Sequence, residues 1–231
     1  MALLLTRKRF TIEEYHRLAE IGVLDWDERL ELMEGIIMTM HPTARRLFSP
    51  NDLRVMAEHG IISEDERVDL IEGEIIQVPR PGGNHAQHLD RISNHLRAQR
   101  DTEFRRYSKL AVGVRSPLRI RDRLELRPDL TLVTSRVDMY PLKDQGKEEI
   151  SLIVEVGDGE LEYHREVRLP IYARHACFEV WLVNCDGGWV DAHTFANPAE
   201  GTYEYVDRFG PGEAIWLQNV TIAVKVEDVL G

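Results

Sequence analysis

The spacing of apolar positions changes several times along the chain, and each change predicts an element. Thr11 with Glu14 reads as a capping box that opens a short amphipathic helix, stopped by Gly22. Ser49 with Pro50 and Asp52 opens a second such helix, stopped by Gly60. After each helix, DERLELMEGIIM and DERVDLIEGEII alternate apolar and charged residues up to a Glu-Gly turn, then continue as an apolar strand. That pattern predicts two hairpins. From Asn84 to about Arg100, His85, Leu89, Ile92 and Leu96 share one helical face. Strand-like runs follow at 105–114, Leu118–Leu126 and Leu130–Thr134, then a polar stretch at 139–149 that predicts a loop. Ser151–Val156 (SLIVEV) and Phe178–Val183 (FEVWLV) are near-continuous apolar runs, as in strands covered on both faces. Leu161–Arg174 between them reads as a helix that Pro170 must end or kink. Gly-rich hairpins at Trp189–Phe195, Thr202–Val206 and Ala214–Leu217 complete the chain. The sum is an α/β (α+β) fold, a mixed β-sheet core flanked by helices.

The two N-terminal units are copies of one another. FTIEEYHRLAEIGVLDWDERLELMEGIIM aligns with FSPNDLRVMAEHGIISEDERVDLIEGEII, so that Phe10 falls on Phe48, Gly22 on Gly60 and Glu34-Gly35 on Glu72-Gly73. Two copies are too few for a solenoid. The expected organisation is an extra helix-hairpin repeat at 1–46 and a main domain at 47–231, whose first part, 48–80, is the second copy. HPTARR (His41–Arg46) links the copies.

Composition narrows the class. With 231 residues, 43% of them hydrophobic, the chain can build a sizeable core. Two cysteines, Cys177 and Cys185, give no disulfide framework and no four-ligand zinc spacing, which fits a reducing compartment. No apolar run approaches the roughly 20 residues needed to span a bilayer, and MALLLTRKRF lacks the marks of a secretory leader. The expectation is a cytoplasmic protein with no membrane partner. The formal charge is -11, from 29 Lys+Arg and 40 Asp+Glu. Its distribution matters more than its sum. Between Arg91 and Arg127 basic residues outnumber acidic ones, Arg105, Arg106 and Arg121 among them, although Asp122 and Glu125 can pair some. A local basic field of this kind attracts a phosphate backbone.

Two carboxylates carry candidate chemistry. Asp129 follows Pro128 at the head of a strand, and Glu155 lies inside SLIVEV. Alone, Asp129 reads as a turn residue and Glu155 as half of a structural ion pair with a nearby arginine. A carboxylate in a hydrophobic run is costly to bury unless paired or holding a cation. Two of them on successive core strands make a hard-oxygen site suited to Mg²⁺ or Mn²⁺.

RVDLIEGEIIQV, GGNHAQHL, RPDLTLV, LIVEV, YHREVRLPIYARH and FEVWLVN, in that order, resemble the Uma2 family of putative restriction endonucleases, within the PD-(D/E)XK nuclease superfamily. The resemblance runs from about Phe48 to the C-terminus; the extra N-terminal copy is a departure from it. It implies a restriction-endonuclease-like core in which Asp129 and Glu155 hold a divalent metal, Mg²⁺ or else Mn²⁺. It places a functional histidine on His85 and an acidic residue on Asp69, where glutamate is usual. The family's lysine sits four residues before a tyrosine; with Tyr172 as that tyrosine, the position is Arg168. An aspartate usual one turn earlier is His164, and the usual serine-rich stretch is Gly157-Asp158-Gly159-Glu160. Lysine can lose a proton when its pKa is depressed; arginine effectively cannot.

The implied function is a Mg²⁺-dependent endonuclease hydrolysing DNA phosphodiester bonds, weakened at Arg168, with a homodimer admitted as its assembly. Two other readings stay open: an inactive DNA-binding or protein-interaction module on the same fold, and a metal-dependent hydrolase of a small phosphorylated substrate.

Overall fold

A computed structural model describes residues 5–40, 43–63, 65–103, 110–134, 145–146, 150–218 and 222–231. Arg105 and Arg106 lie outside the described residues, as do the start of the 105–114 run and all of the 139–149 stretch but 145–146. The fold is mixed α+β, in two compact units: Leu4–Val78 with Arg119–Leu126, and Pro79–Leu118 with Arg127–Gly231. No helix among the described residues is long and apolar enough to cross a membrane.

In the N-terminal unit both capping boxes form. Thr11 Oγ1 accepts the Glu14 N–H and Ser49 Oγ accepts the Asp52 N–H, while each acidic side chain accepts its cap's own N–H. The helices are Ile12–Glu20 and Pro50–Glu58. The hairpins are Leu30–Met33 with Ile36–Met40 and Val68–Ile71 with Glu74–Gln77. Each turns on a Glu-Gly pair with positive φ at both positions, 48° and 80° in the first and 51° and 80° in the second. Two-residue hairpins whose twist matches their strands need that backbone, and glycine supplies half of it freely.

The copies exchange their leading segments. Phe10 N–H donates to Gly35 O and Phe48 N–H to Gly73 O, each within its own copy. The residues leading into each copy cross over: Lys8 N–H, ahead of Phe10, donates to Ile75 O, and Arg46 N–H, at the end of the link ahead of Phe48, donates to Ile37 O. All four bonds are 2.8 Å. Phe10 meets Phe48 with ring centroids 5.7 Å apart, and Lys8 and Arg46 cover these rings at 5.6 and 5.7 Å. Equivalent positions therefore make equivalent contacts.

Leu118–Leu126 departs from the single strand expected of it. It is a tight hairpin, Leu118–Arg121 and Leu124–Leu126, turning at Asp122-Arg123. Arg119 Nη2 donates to Asp122 Oδ1 across the turn at 3.2 Å. The turn carries no glycine or asparagine to mark it.

The larger unit is built on a six-stranded sheet. Its order is Thr202–Phe209, Trp189–Asn197, Glu179–Asn184, Ile150–Gly157, Leu130–Thr134 and Leu110–Val114. The central pair, Ile150–Gly157 with Glu179–Asn184, is parallel, and its neighbours pair antiparallel. Parallel strands need a crossover, and residues 161–174 provide it. The long helix His85–Glu103 lays Leu89, Ile92 and Leu96 on Leu152, Val154 and Val156, all buried in one cluster. The alternate residues Ile153, Glu155 and Gly157 face the other side of the sheet.

The crossover shows how Pro170 is tolerated. Leu161–Tyr163 is α-helical, His164–Arg168 widens into a π-helical turn, and Leu169–Arg174 resumes the α-helix. Leu169 N–H reaches back five residues to His164 O. The wider turn falls just before the residue with no N–H to give, and such bulges recur at functional sites.

His193 makes the sheet acid-sensitive. Its ring packs edge-on against Tyr203 at 5.7 Å. Burial lowers its pKa from 6.5 to about 4, opposed in part by Asp191 and assisted by Arg165. Between these values the unfolded chain binds a proton that the fold refuses. The stability contributed is full above pH 6.5 and is lost as pH falls toward 4. We expect a loss of about 1–3 kcal/mol over that interval, absent from His193→Gln. Urea midpoints at pH 7 and pH 4.5 measure it; equal losses in both proteins would show the ring already protonated in the fold.

Candidate functional site

The register of the sheet brings the two carboxylates together. Leu130 pairs with Val154 in the antiparallel ladder, so one step further sets Asp129 opposite Glu155. Both are fully buried. Asp129 Oδ2 accepts the Val156 N–H at 3.0 Å, and the Asp129 N–H lies 3.4 Å from Glu155 Oε2. Each acid is thus tied to the other's strand.

The crossover supplies the next layer. Arg168 Nη1 donates to Glu155 Oε2 at 2.8 Å, and Tyr172 O–H donates to Glu155 Oε1 at 2.5 Å. Arg168 is itself 1% exposed, with its guanidinium 5.7 Å from the Tyr163 ring centroid. The ion pair considered for Glu155 from sequence therefore exists, with Arg168 as partner. His164 lies between the acids, Nδ1 3.5 Å from Glu155 Oε2 and Nε2 3.7 Å from Asp129 Oδ2. The π-helical turn begins at His164 and ends at Arg168, and both side chains are buried.

Gly157, two residues after Glu155, has no room for a side chain. A Cβ there would lie 2.6 Å from Leu161 Cδ1 and 2.7 Å from Leu161 Cβ. The crossover helix is packed directly on the strand, leaving no room for a side chain.

His85 enters from the opposite side of Asp129. It opens the long helix, 1% exposed, with Nε2 3.1 Å from Asp129 Oδ1 and 3.5 Å from Glu160 Oε1. The loop after Glu155 holds this arrangement. Asp158 accepts the Asn84 N–H at 2.7 Å, its carbonyl accepts the Gly82 N–H, and its own N–H lies 3.3 Å from Glu160 Oε2. A Cβ on Gly82 would sit 2.4 Å from Asp158 Oδ1, so the close approach demands glycine.

Two overlapping donor sets result: Asp129, Glu155 and His164, and His85, Asp129 and Glu160. Within each set the donor atoms lie within 4.8 Å of one another, and every member is buried. Both suit a divalent cation, and their mixed oxygen and nitrogen donors extend the choice beyond Mg²⁺ to Mn²⁺ and Zn²⁺. The surroundings are strongly negative. Burial, then the charges of Asp158, Asp186, Glu160 and Asp129, push the Cys185 thiol up to about 12.

Of the residues singled out from sequence, Asp129, Glu155, Arg168 and His85 converge here. Asp69 is buried on Val68–Ile71 and Arg121 is exposed on Leu118–Arg121, both in the N-terminal unit. Sequence reasoning missed Glu160 as a site member and Asp158 as its support. The available signal was two acids alternating with two glycines at the end of a buried strand.

No curated protein matches the chain. Among solved structures it is similar to a putative nuclease belonging to DUF820 from Anabaena variabilis ATCC 29413, with 14% identity and a TM-score of 0.54 over 71% of this chain and 89% of that one. At that identity the likeness is one of fold. The model of the Uma2 family, described as putative restriction endonuclease, matches residues 50–225, beginning inside the second repeat copy and taking in the whole of this site. On that match, which spans most of its length, the chain belongs to the Uma2 putative restriction endonuclease family.

Proposed function

We propose that the protein is a metal-dependent endonuclease acting on DNA, with its rate held down by Arg168. The observation that carries this reading is the convergence of buried Asp129 and Glu155 with His164, their donor atoms within 4.8 Å of one another, inside the segment that the family model matches. A divalent ion at Asp129 would lower the pKa of a bound water and offset the charge that builds on the scissile phosphate. The chain's own groups divide the remaining work. Arg168 can neutralise charge and clamp a phosphate oxygen, but it cannot take a proton from water. His164, one turn earlier, can hold that proton, and it stands within 3.7 Å of both acids. The exposed Arg121 belongs to the basic stretch that would hold the DNA backbone, with Arg105 and Arg106 earlier in the same stretch. The extra copy at 1–46 is read as an appendage to the nuclease domain at 47–231.

A second reading, an inactive DNA-binding module, is favoured by Glu155 itself: both its oxygens already accept hydrogen bonds, from Arg168 and Tyr172. Plasmid nicking with Mg²⁺ and Mn²⁺ separates the two. Arg168→Lys keeps a cation on Glu155 and restores a group able to lose a proton. We expect it to raise the nicking rate severalfold. A fall from measurable native activity would make arginine the adapted residue and end the weakened-nuclease reading. DNA binding without cleavage in both proteins would support the module.

A further inference from the structure

We propose that the divalent cation binds between His85, Asp129 and Glu160, on the far side of Asp129 from Glu155, and that Arg168 stands as the resident cation at the Asp129–Glu155 position. The inference rests on the reading above only in taking Asp129 as a metal ligand.

Three observations point the same way. Glu155 is already served, since the permanent charge of Arg168 lies 2.8 Å from Oε2 and the Tyr172 hydroxyl lies 2.5 Å from Oε1. An ion bound there must displace a buried guanidinium or share a carboxylate oxygen with it. His85 is the reverse case. Its Nε2 is buried and makes no hydrogen bond, although carboxylate oxygens stand 3.1 and 3.5 Å away. A neutral imidazole in that position offers a lone pair between two acids, which is how histidine binds metals. An ion with ligand distances of about 2.0–2.3 Å spans donors up to about 4.5 Å apart, and both separations fall inside that limit.

The third observation is the loop Gly157–Glu160. It supplies Glu160, and through Asp158 it anchors the backbone at Gly82 and Asn84, from which the His85 helix starts. One short segment therefore provides one ligand and fixes another. The two positions are complementary: Arg168 is committed to Glu155, and Glu160 stands beside His85. One nitrogen and two carboxylates form a donor set that Mn²⁺ fills well.

The test is Mn²⁺ binding to the full chain by calorimetry, with ¹⁴N hyperfine coupling read by pulsed EPR. Glu160→Gln is expected to weaken binding at least tenfold and His85→Gln to abolish the imidazole coupling. Glu155→Gln should change affinity by less than threefold, and His164→Gln should keep the coupling. The mirrored pattern, with Glu155 and His164 required and Glu160 and His85 dispensable, overturns the proposal, as does a native protein that binds no Mn²⁺. Should Glu155→Gln fail to fold, the two histidine variants decide alone. Plasmid nicking alongside keeps the two readings apart. Mg²⁺-dependent nicking with the mirrored pattern retains the nuclease and removes the relocated ion. The expected pattern without nicking retains the ion and removes the nuclease.

Discussion

Arg168→Ala is expected to cost the fold about 3–5 kcal/mol at neutral pH, as removing one partner of a buried ion pair does. Glu155, at 0% exposure, would be left with only the Tyr172 hydroxyl of these two donors. The variant would also lose the guanidinium from its place over the Tyr163 ring. Guanidinium chloride unfolding measures the loss. Glu155→Gln combined with Arg168→Met should recover much of it, because replacing both partners leaves no stranded charge. A cost below about 1 kcal/mol for Arg168→Ala would mean that the pair contributes little and that Glu155 finds other donors.

Asp129→Asn is expected to lower any metal-dependent nicking by ~100-fold or more while leaving the fold intact. Asp129 alone belongs to both donor sets, so neither placement of the cation survives its loss. The several kcal/mol that a metal contributes to charge stabilisation correspond to at least that factor. Asparagine keeps an oxygen that can accept the Val156 N–H, now made at 3.0 Å, so the strand ends should stay joined. Nicking within tenfold of native, with a circular dichroism melt unchanged, would remove Asp129 from the chemistry.

Much of this was legible from residues because period and burial agree. SLIVEV reads as a strand covered on both faces, and Ser151 to Val156 are all buried. The stripe His85, Leu89, Ile92, Leu96 predicts a core-facing helix, and all four are buried. The Glu-Gly pairs predict hairpins because a glycine between two apolar runs accepts positive φ freely, and both turns form. The failures have equally local causes. Leu118–Leu126 carries no glycine, asparagine or proline at its bend, where Asp122 is held by Arg119. Pro170 signals a break in the helix but not its form; a π-helical turn is chosen by what lies opposite, here Glu155 waiting for Arg168. Glu160 is one acid among 40 acidic residues. Only three-dimensional proximity to His85 distinguishes it.

The crossed leading segments of the N-terminal unit bear on how such a gene can change. Tandem duplications are ordinarily reversible, since recombination between the copies excises one and leaves the other whole. Here each hairpin accepts a backbone hydrogen bond from the segment that introduces the other, Lys8 to Ile75 and Arg46 to Ile37. An excision would leave one hairpin edge unserved and one phenylalanine ring without its neighbour. Once the two halves had come to complete each other, a single crossover could no longer restore the ancestral length without a folding defect. The duplication would then be held in the lineage by packing alone, whatever the unit does for the site.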